Sequence, residues 1–161
     1  MGKRKMSRAR LAGALVLVLG VAAFAINAAA SGGSVPLHGK MRNISNFGGP
    51  TCPSATGVCS SFVATGSIDG NGVVSVDTFP SADGISKAHT VIHTSKGDLH
   101  CHEQAIFDLV GADHAFVDLC LIDGGTGAYA GASGYIQEVG TFDFANNVGE
   151  LDYYGKLIGA G

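Results

Sequence analysis

Two acidic side chains, Glu103 and Asp118, and four histidines, His89, His93, His100 and His102, are the residues whose types and spacing offer chemistry. Carboxyls set side by side in an apolar setting repel each other and lose hydration. Both effects favour the protonated form, so one of the pair can serve as a general acid near neutral pH. Such an acid protonates an epoxide or carbonyl oxygen and so promotes a cyclisation. The same pair at a hydrated end of the fold would be idle. The histidines suit a different chemistry: His100-Cys101-His102 puts two imidazoles on one face of a strand, and His93 joins them from the strand before. Three neutral imidazoles can hold zinc or copper and leave a position for water. A cupin-type site would also need a glutamate after three or four intervening residues, where Ile106 and Phe107 stand. His38 and His114 have no partner that the sequence identifies.

The elements that must position these groups are short. Strand-like runs are read at Val35–Phe47, Ser60–Ile68, Val73–Phe79, Ile85–Thr94, Leu99–Leu109, His114–Ile122, Tyr135–Phe144 and Glu150–Ile158. Glycine-rich turns separate them, with Asp69-Gly70-Asn71-Gly72 the strongest hairpin signal. After residue 30 no segment carries a helical period of useful length. Eight short strands joined by hairpins predict an all-β fold, an eight-stranded antiparallel barrel, because closure removes the exposed edges. A two-sheet sandwich satisfies the same periodicity.

Turn placement sets a register. A Val110-Gly111 turn pairs Phe107 with His114, Glu103 with Asp118 and Cys101 with Cys120, which brings the two cysteines within disulfide reach. A Lys96-Gly97 turn pairs His93 with His100. One face then carries the four histidines together with Val117, Leu119 and Leu121. The other carries Ile92, Phe107, Leu109, Phe116 and Ile122 with both carboxyls. The second is the more consistently apolar and is read as the interior, while the leucines keep the first in contention. Tyr129 and Tyr135 are candidates to line a pocket.

Composition places the chain outside the cytoplasm. Lys3, Arg4, Lys5, Arg8 and Arg10 precede an apolar run from Leu11 to Ala25 and small residues at Ala28-Ala29-Ala30. That order reads as a secretory signal peptide over residues 1–30, with an uncleaved membrane anchor as the alternative. Residues 31–161 are read as one barrel domain. Within it, 31–59 form an N-terminal segment with a loop that a Cys52–Cys59 bridge would pinch, and 60–161 form the main part. Five of the ten Lys+Arg and none of the thirteen Asp+Glu fall in residues 1–30, so the remainder carries 5 minus 13, or −8. A chain this acidic is not expected to bind nucleic acid. Four cysteines in an exported chain suggest two disulfides; three pairings are open, and Cys52–Cys59 with Cys101–Cys120 is preferred. Asn43-Ile44-Ser45 also fits a glycosylation sequon.

Gly124 to Tyr135, GGTGAYAGASGY, is the most specific connection, with Gly124, Gly125, Thr126, Gly127, Gly131 and Gly134 as its turn residues. It resembles the GGTG-x-[FY]-x-G-A-x-G signature of the allene oxide cyclase-like barrel proteins, and plant dirigent proteins carry a similar motif. CPSATGVC (Cys52–Cys59), SKGDL (Ser95–Leu99) and GTFDF (Gly140–Phe144) resemble exported bacterial members. The resemblance implies an eight-stranded barrel whose interior can take a small molecule, and relatives that form dimers or trimers. Ser133 stands where dirigent proteins commonly have arginine, which argues against a dirigent activity. A dinucleotide reading of these glycines fails, because a Rossmann site needs a helix after them and a larger parallel sheet. No cofactor is expected. Three functions follow: a barrel binding a small hydrophobic or phenolic molecule, with isomerase or cyclase activity within its reach; a metal-binding protein using His93, His100 and His102; or a disulfide-stapled interaction domain.

Overall fold

The computed structural model describes residues 33–47, 52–79, 84–108, 110 and 114–159. The signal segment and the cleavage positions lie outside the described residues. Eight antiparallel strands form a closed barrel in chain order: β1 (Ser34–Phe47), β2 (Val58–Gly66), β3 (Gly70–Thr78), β4 (Ile85–Thr94), β5 (Gly97–Phe107), β6 (Ala115–Gly125), β7 (Ser133–Asp143) and β8 (Val148–Ile158). The barrel closes where β1 pairs with β8, Gly39 opposite Tyr153. Closure leaves no strand edge unpaired, and this separates the barrel from a sandwich. The helical content of the described residues is a single 3₁₀ turn, Gly127–Tyr129.

Alternation decides what lies inside. Along β6, Phe116, Asp118, Cys120 and Ile122 are buried while Val117, Leu119 and Leu121 face out. On β5 the inward set is Leu99, Cys101, Glu103 and Ala105. The apolar face was therefore the correct interior, and the histidines lie outside.

The expected registers need correcting, each by two residues. Glu103 lies opposite Cys120, and Asp118 opposite Ala105. Across β4 and β5, His93 lies opposite Asp98 and His89 opposite His102. A two-residue slip keeps every side chain on its face, so the interior survives the error. The β4–β5 loop is Ser95-Lys96, not Lys96-Gly97, because Thr94 pairs with Gly97. Gly97 is held in the strand by close backbone approach: a Cβ there would lie 2.2 Å from the Thr126 carbonyl oxygen. The Asp69–Gly72 turn is displaced likewise, since Ala64 pairs with Gly70 and Phe62 with Gly72. Gly72 serves packing, not turning, and a Cβ on it would meet the Phe62 ring at 2.4 Å.

The barrel is filled unevenly. Towards the end holding the 3₁₀ turn, Phe62, Ile68, Ile92, Leu99, Ile122, Ile136, Tyr153 and Leu157 pack into one apolar cluster. Tyr153 is fully buried there, where the Ile68 amide donates to its hydroxyl at 2.8 Å. Both disulfides form as preferred, Cys52–Cys59 and Cys101–Cys120. The second joins diagonal neighbours, because Cys101 lies directly opposite Ile122.

Candidate functional site

Glu103, Asp118 and Glu138 come from three successive strands, β5, β6 and β7, and all point into the barrel. Asp118 is the middle member: it lies directly opposite Glu138 and diagonal to Glu103. Each is buried, at 5%, 5% and 6% exposure. They stand beside a cavity of about 180 Å³, bounded by Asn43, Ala105, Phe107, Phe116, Phe142 and Phe144 among others. That volume far exceeds the ~30 Å³ share of one liquid water, yet falls below the ~300–1,000 Å³ of drug-sized sites. An eight-stranded barrel has room for its own side chains or for one small ligand, and here one half of it is left for the latter.

The cavity occupies the end of the barrel opposite the 3₁₀ turn. Four phenylalanines form a connected group at this end: Phe107 stacks on Phe116 with centroids 5.2 Å apart, and Phe144 lies 6.5 Å from Phe107 and 4.8 Å from Phe142. His114 meets the Phe144 ring edge-on at 4.9 Å. Phe79 and Phe144 are exposed and mark the way to solvent.

Burial governs the protonation of the three acids. Loss of hydration pushes Glu103 well above the usual carboxylate range, and the neighbouring charges of Asp118 and Glu138 add to it. Glu138 is pushed up to about 8, again by burial first and by Asp118 second. Asp118 rises only to about 6, because Glu103 and the backbone amides of Leu119 and Gln104 offset its desolvation by hydrogen bonding to it. Near neutral pH the three therefore divide into proton holders, Glu103 and Glu138, and one ionised member, Asp118. Two acceptors here are left without partners, Asp118 Oδ1 and Asn43 Oδ1. Asn43 points inward and is buried, which removes it as a glycosylation acceptor.

The remaining expected site residues are placed elsewhere. Tyr129 is buried in the apolar half, within the 3₁₀ turn, and Tyr135 faces out; neither borders the cavity. The register explains this, because Tyr135 pairs with Leu121 on the outer face. Of the imidazoles expected to share a metal, His93 and His102 pair with different carboxylates, His93 Nδ1 with Asp98 at 2.8 Å and His102 Nε2 with Asp123 at 2.8 Å. His100 lies opposite Val91 and Gly124, and His89 Nδ1 pairs with Asp77 at 2.9 Å. Among the described residues no group of three or more His, Cys, Asp or Glu could hold a metal ion. Within the glycine stretch, Thr126 is the anchor: its amide donates to the Asp98 carbonyl at 2.8 Å, and its hydroxyl accepts from the Asp98 amide at 2.9 Å.

Glu138 was missed at the level of sequence. Its signal was the alternation Ile136-Glu138-Gly140-Phe142, which shares a face with the apolar residues of that run.

The fold and site together define a closed antiparallel barrel with a small aromatic-rimmed cavity floored by acids. No family model and no curated protein matches the chain. It is similar to the solved structure of a pterocarpan synthase dirigent protein, at 16% identity over 78% of this chain and 95% of that one, with a TM-score of 0.34. So loose an overlap adds nothing to the barrel geometry, which rests on its own strand pairing.

Proposed function

We propose that the protein is an exported barrel that binds a small hydrophobic or phenolic molecule in its cavity, and that Glu103 and Asp118 can catalyse an isomerisation or cyclisation of it. The observation that supports this is the coincidence of acids and aromatics: three buried carboxyls face a cavity whose other walls are mainly apolar. Glu103 supplies a proton to an oxygen of the ligand, and Asp118, with Glu138 beside it, receives one back from carbon. Proton given and proton returned balance, so an isomerisation needs no second substrate. Export is supported by the basic and apolar N-terminal sequence and by two disulfides, which persist in oxidising compartments.

Titration of the labelled protein with phenol and 4-ethylphenol, followed by nuclear magnetic resonance, tests the binding. The expected shifts fall on Ala88, Ala105, Phe116 and Phe142. Shifts confined to the outer face, or none at all, would remove the reading. For any substrate that is turned over, Glu103→Gln should lower kcat by 10²-fold or more, on the order of a general acid's contribution.

A further inference from the structure

The cavity's ionisable groups are all of one kind. Glu103, Asp118 and Glu138 are carboxyls, Asn43, Ser60 and Ser86 are neutral, and no lysine, arginine or histidine borders the cavity among the described residues. An anionic ligand would meet no cationic side chain. Asp118 Oδ1 and Asn43 Oδ1 are acceptors, each more than nine-tenths buried and each without a donor. Leaving such an atom unpaired costs ~1–3 kcal/mol, so a ligand that brings N–H or O–H groups gains by satisfying it. The apolar part of such a ligand has its own complement, because Phe107, Phe116, Phe142 and Phe144 border the same cavity.

Resting on the reading that this cavity binds a small apolar molecule, we propose that its preferred ligand class is a primary or secondary organic ammonium ion attached to a small apolar group. The ammonium N–H groups reach Asp118 and Asn43, and the apolar part lies against the phenylalanines. A neutral phenol satisfies one acceptor; a protonated amine satisfies both and also neutralises Asp118. A quaternary ammonium keeps the charge but brings no N–H. The ammonium charge beside Glu138 favours that group's ionised form, so binding at neutral pH releases a proton. The other titratable groups nearby are His114, which meets Phe144, and Tyr153, opposite Glu138 in the ladder; neither borders the cavity.

Calorimetry at pH 7 in phosphate, with 2-phenylethylamine, 2-phenylethanol, 3-phenylpropanoate and trimethyl(2-phenylethyl)ammonium, separates the alternatives. The amine is expected to bind at least about tenfold tighter than the alcohol, with the carboxylate undetectable and the quaternary ion weaker than the primary amine. An indicator dye in unbuffered solution should report up to about one proton released per amine bound. Asp118→Asn should abolish the preference for amine over alcohol. Glu138→Gln, which keeps shape and volume, should abolish the proton release and serves if the first variant does not fold. An alcohol that binds as well as the amine overturns the ammonium proposal and leaves the cavity reading standing. A quaternary ion as tight as the primary amine overturns the role of the N–H donors. If no compound of the series binds, both the proposal and the reading beneath it fail.

Discussion

Glu138 keeps its proton to about pH 8 and Asp118 to about pH 6, whereas unfolded carboxyls ionise near their ordinary values of 4.5 and 3.8. Between those limits the folded chain binds more protons than the unfolded one, so stability must fall as pH rises. For these two groups the loss sets in near pH 4 and is complete above about pH 8. Urea denaturation at pH 5, 6, 7 and 8 should show this decline, and a flat or rising profile would contradict it. Glu138→Gln should flatten the curve, gaining on the order of 1–3 kcal/mol at pH 8 and little at pH 5. A single side chain thus trades fold stability for an acid held ready to act.

The tip of the β4–β5 hairpin is clamped to the glycine stretch. The Ala128 amide donates to the Lys96 carbonyl at 2.9 Å, and Gly127, with φ 57°, passes so close that a Cβ would lie 2.4 Å from that oxygen. Gly127→Ala adds a left-handed cost of ~1–2 kcal/mol to this clash, so a loss of roughly 2 kcal/mol or more is expected by thermal or urea unfolding. Near-native stability would show that the clamp yields easily. The clamp also shows what was legible beforehand. Alternation across β4 to β6 favoured the face of Ile92, Phe107, Phe116 and Ile122 as the interior, although Val117, Leu119 and Leu121 kept the other in contention, and so put Glu103 and Asp118 inside together. It could not reveal register, because pairing that slips by two residues presents the same faces. Gly97 read as a turn residue, since its true constraint, the carbonyl of Thr126, lies 29 residues away in the chain. Glu138 was hidden for a related reason: a lone acid in a strand reads as solvent-facing until its neighbour across the ladder is known. The histidines looked like one cluster because the carboxylate partners of His89, His93 and His102, namely Asp77, Asp98 and Asp123, were not placed.

Around the whole barrel, the outer surface of β5, β6 and β7 is unusually apolar. Ile106, Val117 and Val139 form one row across the three strands, with Leu119, Leu121 and Tyr135 beside it, all exposed. We propose that copies of the protein associate through this face; contiguous apolar surface on a β-sheet commonly marks an interface. Sedimentation should show a dimer or larger species that Leu119→Glu with Leu121→Lys converts to monomer, and a wild type that stays monomeric at high concentration would dismiss the idea. The closure of β1 on β8 has a further consequence. Ser34 lies opposite Ile158 in the same ladder, just as strands joined by a hairpin do. The barrel is therefore a ring of eight equivalent neighbours in which the order of synthesis fixes only where the ring is cut. A circular permutant joining Gly159 to Gly33 through a short linker, and opened between Asn146 and Asn147, should fold to the same barrel with its ligand affinity intact. It would begin at β8 and end at β7. Its two ends would then meet at the β7–β8 seam, which contains Glu138 opposite Tyr153, so the ring would be closed through the site and not beside it.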